Sequence, residues 1–414
     1  MSPSRRPRRL ALLVLAGLLV VAAPVQAAQT RRPITWGAWK LWTEWSLDLQ
    51  LRGNLHLAPT HDITKALYIL RPALHLRRDF HQASYLCLDY QAMVAVKEDS
   101  SPLVDNFAND DWWSNSLGLS LRLGGFTGYY LRAEGVFQRT SDRRGSDNLF
   151  RLGLKTSRRF SRLRAVVGYG FGLASRLELG LGYGHREYDA PEADKQNQRS
   201  YQAGLTFLRR LGRGRWALVR YRLEHRDYLD QDDFMQQDYF QHSIMAGVRF
   251  MPGGRLSGVA QVGVAWRHFR DPVNEAGVAL ESGADWVARV FLDFRPDQAT
   301  LLRLDFTRGL LTAPSCGLDY NYLTANRLTA ELRRRLWPGV ELFAAVAVGR
   351  WDYNPLDPAA RGHDHFFEAG LGFSCQLANG ALVRASWGLD HRAAGDPGMS
   401  YCDQRYTLSL GWRR

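Results

Sequence analysis

The chain has 414 residues, with 54 Lys+Arg against 41 Asp+Glu and a formal net charge of +13. Four cysteines without a CxxC pair exclude a disulfide scaffold and a cysteine-ligated zinc site. Beyond the first 27 residues no apolar run approaches the ~18 residues a membrane helix needs, and the mildly negative mean hydropathy fits either a soluble protein or a barrel whose alternate strand residues face a polar interior.

The N-terminus reads as a secretory leader. Arg5, Arg6, Arg8 and Arg9 precede an apolar run from Leu10 to Val21, and Val25-Gln26-Ala27 offers a cleavage site, expected after Ala27 with Ala28 as the second choice. Residues 28–42 are expected to form an N-terminal periplasmic segment and 43–414 the folded body. Removing the leader's four arginines leaves 50 basic against 41 acidic residues, a net of +9. Only Lys40, Lys65, Lys97, Lys155 and Lys195 are lysines. Such an excess serves nucleic acid or an anion-favouring pore, and export argues against the first.

From Trp45 the pattern sets the class. Trp45, Leu47, Leu49, Leu51, Leu55 and Leu57 alternate with Ser46, Asp48, Gln50, Arg52, Asn54 and His56. Period two is a strand signal; as a helix, Leu47 and Leu49 would lie about 200° apart and no apolar stripe could form. The pattern recurs at Ala217–Leu223, Val262–Trp266, Leu302–Phe306, Leu328–Leu332 and Tyr406–Trp412. Strands are expected at roughly 43–57, 65–78, 84–97, 112–123, 127–140, 147–159, 162–173, 175–188, 199–210, 215–228, 238–251, 255–269, 283–295, 299–312, 323–337, 340–353, 364–377, 381–391 and 403–413.

These segments exceed the usual ~5–6 residues of sandwich strands and suit tilted membrane crossings of roughly 9–11 residues plus extensions. Connections alternate between short Gly/Pro turns, such as Pro252-Gly253-Gly254 and Pro338-Gly339, and long polar segments such as 98–111 and 271–282. The expected fold is therefore all-β: a single closed antiparallel transmembrane β-barrel of about 18 strands (alternative 16), with short periplasmic turns and long extracellular loops. The alternation breaks between 147 and 188, where Ser161-Arg162 and Ala174-Ser175 both read as inner turns and one strand is miscounted. Trp112, Trp113, Trp216, Trp266, Trp286, Trp337, Trp351, Trp387 and Trp412 fall near strand ends, as an aromatic girdle would.

Residues opposite the apolar face are the candidate lining of the interior: Arg220, Arg222, Glu224, Arg226, Arg267, Arg289, Asp293, Arg295, Arg303, Asp305, Glu331 and Arg333. They either pair across the ladder and stiffen the wall or build a cationic constriction for anionic solutes. No GxSxG, HExxH or P-loop motif occurs, Ser257 and His268 fall on opposite faces of one strand, and no catalytic residue, metal site or cofactor is expected. His363/His365 and the loop acids Asp105, Asp110 and Asp111 are the weak metal candidates. Cys316 and Cys402 fall in expected outer loops and could pair.

The segment from about Asp62 to Arg270 resembles a β-barrel porin family often found beside exopolysaccharide synthesis genes. The resemblance rests on Ala66-Leu-Tyr-Ile-Leu-Arg-Pro-Ala-Leu-His-Leu76, on the turn-then-Gly-Tyr unit Ala174 to Tyr188, and on Trp216–Tyr228, Ala246–Phe250 and Gly254–Gly258. It implies an outer-membrane barrel that helps a polysaccharide leave the cell. One departure is the end: Trp412 is followed by Arg413 and Arg414, where barrels usually stop at an aromatic residue. The leading expectation is thus a non-enzymatic bacterial outer-membrane channel, a passive pore or an exopolysaccharide exporter. Its expected partners are outer-membrane lipids, the barrel assembly machinery and an anionic solute or polysaccharide, with no nucleic acid. A non-conducting barrel for surface-protein assembly and an outer-membrane enzyme are the alternatives.

Overall fold

In the computed structural model, residues 33–413 are described, apart from 53–64, 82–83, 98–111, 126, 142–156, 190–196, 213, 230–237, 251–252, 272, 274–278, 281, 312–319, 356–361, 378–379 and 395–399. The leader, Cys316, the loop acids Asp105, Asp110 and Asp111, and Leu55 and Leu57 lie outside the described residues.

The elements are β1 (Ile34–Trp36), β2 (Trp39–Arg52), β3 (Lys65–His81), β4 (Ser84–Lys97), β5 (Trp112–Leu123), β6 (Gly128–Ser141), β7 (Ser157–Phe171), β8 (Ser175–Tyr188), β9 (Gln198–Gly212) and β10 (Arg215–Tyr228). They continue with β11 (Tyr239–Phe250), β12 (Leu256–Phe269), β13 (Gly283–Phe294), β14 (Thr300–Leu311), β15 (Tyr320–Trp337), β16 (Val340–Pro355), β17 (His363–Gln376), β18 (Ala381–Ala394) and β19 (Tyr401–Arg413). From β2 onward each strand pairs antiparallel with the next. The last returns to the first through Arg405↔Arg52 to Arg413↔Glu44, closing an 18-strand barrel. Strand β1 is a short addition to the β2 edge, ending in Trp36↔Trp39. Closure matters energetically: it pairs the strands along the membrane-crossing part of the sheet without water, and where the β13–β14 ladder stops at Ala288, side chains take over, as Arg308 does on the Trp286 carbonyl.

Of the two expected counts, 18 is the one found. The misread region contains one continuous strand: Ser157–Phe171 runs through Ser161-Arg162, which is not a turn, and residues 157–159 of the strand expected at 147–159 belong to it, while 147–156 lie outside the described residues. Ala174 does belong to a tight turn, 172–174. Asp79, Phe80 and His81, beyond the expected strand end at 78, complete β3. Barrel strands span 12 to 18 residues.

Two tight turns show why glycine is placed where it is. Gly124 and Gly339 both sit at φ +82°, and a Cβ on either would lie 2.5 Å from a carbonyl oxygen, of Tyr129 and Gln376 respectively. At the opposite end two strand pairs share a clamp. The Tyr188 N–H donates to Asn197 Oδ1 at 2.7 Å, and the Tyr228 N–H donates to Asp238 Oδ1 at 2.8 Å.

Because directly paired residues share a face, the register sorts every strand. Leu47, Leu70, Val94, Leu117, Leu163, Leu179, Leu205, Val219, Ile244, Val262, Leu304, Val346 and Leu371 are all exposed on the outer surface. Such a belt buries its apolar surface only against lipid, at roughly 25 cal/mol per Å². Trp113, Trp266, Trp286, Trp387 and Trp412 share that outer face. Trp112, Trp216 and Trp351, expected in the girdle, face inward, opposite Ala95, Arg210 and Asp364.

Candidate functional site: the arginine-lined interior

The inward face of β6 to β12 is read most simply across the ladder. One row runs Tyr130, Gly168, Glu178, Thr206, Arg220, Met245. The next, one pleat period toward the long-loop end, runs Arg132, Val166, Gly180, Gly204, Arg222, Ser243. A third runs Glu134, Arg164, Gly182, Gln202, Glu224, Gln241, Arg267. Arginines therefore stand on both sides of a two-strand strip, β8 and β9, that carries glycine at three of these inward positions, Gly180, Gly182 and Gly204, and at Gly184 in the next row.

The sequence-predicted interior residues divide into groups. Glu224 gathers Arg226 (2.8 Å), Arg222 (3.2 Å) and the Gln202 amide (3.2 Å). Arg303 donates twice to Asp293, at 2.7 and 3.1 Å, and its guanidinium lies 3.7 Å from Glu331, which also holds Arg333. Asp305 lies in register between Phe291 and Thr329. Arg267 stands apart, 2% exposed. It donates to Gln241 Oε1 and to the Leu310 and Leu311 carbonyls, and its guanidinium carbon lies 3.9 Å from the Tyr239 ring centroid. Arg295 sits one residue beyond β13, in a turn, where its N–H bonds the Arg255 carbonyl. The group around Glu224 pairs along β10 and reaches β9 through Gln202, and those around Asp293 and Glu331 pair across neighbouring strands; Asp305 and Arg295 have no ion pair among the described residues.

A second set is not compensated. Arg162 and Arg164 on β7, Arg249 on β11 and Arg289 on β13 have no ion pair or hydrogen bond among the described residues. Arg220 donates to Thr206 Oγ1 at 3.1 Å. Its charge lies within electrostatic reach of Arg249, Glu178, Arg164 and Arg289, and that of Arg222 within reach of Glu224, Arg164, Arg162 and Arg289. The structure thus brings together Arg220, Arg222 and Arg289 from the expected set with three that were not expected. Arg162 was placed in a turn, yet the outer run Leu163, Ala165, Val167, Tyr169, Phe171 is a clean period-two signal that puts Arg162 and Arg164 on the other face.

Other inward arginines are held over rings: Arg176 over Trp216 at 4.6 Å, Arg77 over Tyr85 at 4.5 Å and Arg303 over Phe291 at 5.1 Å. The wall near β2 to β6 is different. A recess of about 750 Å³ there is lined by Gln91, Ser114, Ser116, Gln138 and the Asp48–Arg71 pair. His363 and His365 lie on β17 with ring centroids 5.1 Å apart, and the described residues contain no group of three metal-ligating side chains. Ser257 faces inward and His268 outward, as expected.

A closed antiparallel barrel with an apolar outer belt and a charged interior is the architecture of outer-membrane β-barrels. Among solved structures the chain is similar to Pseudomonas aeruginosa OccK2 (OpdF), at 13% identity, covering 91% of this chain and 97% of that one with a TM-score of 0.49. It is similar to the Pseudomonas aeruginosa outer membrane protein OpdK at 14% identity, 91% and 98% coverage and a TM-score of 0.48. A bacterial polysaccharide outer membrane secretin is also similar, at 12% identity, 90% and 98% coverage and a TM-score of 0.38. Likeness at this level reaches no further than architecture. No protein-family profile matches the chain, and no curated protein matches its sequence.

Proposed function

We propose that the protein is an anion-favouring channel of the bacterial outer membrane. One observation carries the reading: the inward arginines Arg162, Arg164, Arg249 and Arg289 make no ion pair among the described residues, and Arg220 and Arg222, the latter sharing Glu224 with Arg226, stand within electrostatic reach of them. Like charges gathered on one wall repel one another, so their arrangement favours a mobile counter-ion or an anionic cargo. The paired residues Asp293, Arg303, Glu331 and Arg333 stiffen the wall beside them. The resemblance of residues 62–270 to porins beside exopolysaccharide genes makes an acidic polysaccharide the natural large cargo, delivered from a periplasm reached through a cleaved leader. The purified protein in a planar lipid bilayer is expected to conduct and, under a KCl gradient, to give a reversal potential on the chloride side. Cation preference, or a membrane that stays silent over many insertions, refutes the reading.

A further inference from the structure

Four arginines border a floor of two strands, β8 and β9, on which every second or third inward position lacks a side chain; the two pairs are offset along the strands, so that Arg164 stands directly across from Glu224 and Arg162 from Arg226. Arg162 and Arg164 form one rim on β7, and Arg220 and Arg222 the other on β10. Between them, β8 offers Gly180, Gly182 and Gly184 inward, with Glu178 at the near end held by Arg132, and β9 offers Gly204 between the side chains of Gln202 and Thr206, with Ser200 beyond. Gln202, the long side chain on that stretch, is drawn onto Glu224 at 3.2 Å. Gly184 and Gly204 are packed in, since a Cβ would meet Ser200 Oγ at 2.6 Å or the Tyr221 carbonyl at 3.2 Å. Gly168 on β7 is glycine for a similar reason, because the Tyr130 ring lies over it and a Cβ would sit 2.2 Å from that ring. Gly180 is different. A Cβ there would meet nothing closer than Val166 Cγ2 at 3.8 Å, an ordinary contact. Packing does not require glycine at 180; leaving out its side chain keeps the bay open.

We infer that this bay is a binding site for a solute carrying two oxyanion groups on a flat or extended body, one group for each arginine rim. The inference rests on the channel reading and names the solute class for part of that interior. Three strand spacings separate β7 from β10, about 14 Å between backbones, and guanidinium groups leaning in from both rims shorten the gap. A single small anion satisfies one rim; a dianion satisfies both and removes the mutual repulsion of Arg164 with Arg220 and Arg222. Guanidinium favours carboxylate and phosphate because both accept its parallel N–H pairs. The glycine floor admits a planar body against the wall.

The test uses benzene-1,4-dicarboxylate against benzoate as blockers of single-channel current through the full mature protein. The dicarboxylate is expected to block saturably at a concentration at least tenfold below that of benzoate. Gly180→Leu, which fills the floor, is expected to bring the two blockers level, and Arg164→Gln with Arg222→Gln to do the same by removing one charge from each rim. Equal block of the wild-type channel by both compounds overturns the proposal, as does a dicarboxylate preference that survives Gly180→Leu. Heat-shifted migration on a gel reports whether each variant has folded. A barrel that carries no current refutes the channel and leaves the bay to calorimetry in detergent. There, dicarboxylate binding that Gly180→Leu abolishes supports the bay, and wild-type protein that takes up no dicarboxylate overturns it.

Discussion

Asp364 gives the sharpest test of how the interior is held. Its side chain is fully buried on β17. It accepts hydrogen bonds from Arg392 Nη2 at 2.6 Å and Nε at 3.2 Å, and from the Tyr353 hydroxyl at 2.9 Å. Arg392 is itself packed between rings, 5.4 Å from the centroids of both Trp351 and Phe366. Asp364→Ala removes the acceptor and leaves a guanidinium and a hydroxyl without it in a site that water scarcely enters. Breaking a buried pair from one side costs about 3–5 kcal/mol. With a urea slope of about 3 kcal/mol/M for a chain of this size, the unfolding midpoint falls by about 1–1.7 M. The assay is urea unfolding of the barrel in lipid vesicles, followed by tryptophan emission. Asp364→Ala with Arg392→Met is expected to cost clearly less than the sum of the two single changes, because the double variant strands no charge. A midpoint shift below about 0.2 M for Asp364→Ala, equivalent to roughly 0.5 kcal/mol as at an ordinary surface site, refutes the reasoning.

Two further outcomes follow from the register and from one turn. In a background with the native cysteines replaced, Val264→Cys is expected to react in membranes with a lipid-soluble maleimide and Ser243→Cys with a charged, water-borne thiol reagent, since the ladder puts these neighbours of β11 and β12 on opposite faces. The reverse labelling would show a one-residue slip, which turns every side chain over. In the turn between β13 and β14, the Asp297 carboxylate accepts the Ala299 and Thr300 N–H groups, both at 2.7 Å, and the Thr300 hydroxyl. The Ala299 N–H, chiefly, holds its pKa below the ordinary carboxylate value. A depressed folded-state pKa stabilises above the unfolded value, about 3.9, and the benefit is lost as pH falls through the folded one. The wild-type advantage over Asp297→Ala in urea midpoint is therefore expected at pH 6 and to shrink below about pH 4; an advantage constant down to pH 2 contradicts it.

Much of the barrel was legible because lipid imposes a rule on one face only. Wherever an outer run is purely apolar, as at Val262–Trp266 or Leu302–Phe306, the strand, its phase and its inward residues all follow, and the predicted inward residues of β10, β12, β13, β14 and β15 fall on the inner face. The rule fails at loop-end extensions, where both faces meet water. In Ser157-Arg-Arg-Phe-Ser-Arg162 the polar residues occupy both phases, so β7 looks broken in two and its inward arginines are lost. Adjacent Trp112 and Trp113 cannot share a girdle, since successive strand residues point to opposite faces. The bulge between Arg335 and Trp337 shifts phase by a residue, which no local pattern announces. Which arginines lack a partner depends on neighbours far apart in sequence, such as Arg164 and Arg220, and only the closed ladder brings these together.

The same period of two explains how the interior can be reshaped without disturbing the membrane fit. In Leu179-Gly-Leu-Gly-Tyr-Gly184 every second residue is large and meets lipid, while every glycine faces inward. Losing a large inward side chain from a soluble core costs a cavity and its contacts. At Gly180 the inward face is bordered by space rather than by packed atoms, in contrast to Gly184 and Gly204. The penalty for the missing side chain is then confined to the greater backbone entropy of glycine, about 0.5–1 kcal/mol per position relative to alanine. The outer leucines and tyrosines of β7 to β10 keep the strands in register against lipid at the same time. The width of the interior can therefore vary at Gly180 nearly independently of barrel stability, unlike at the packed inward cluster of Leu208, Trp216 and Leu218 on β9 and β10. A series Gly180→Ala, Gly180→Val, Gly180→Leu is accordingly expected to change conductance stepwise while the urea midpoint stays within about 0.5 M, roughly 1.5 kcal/mol at the slope used above; a midpoint that falls in step with side-chain volume would mean that the inner face is packed after all.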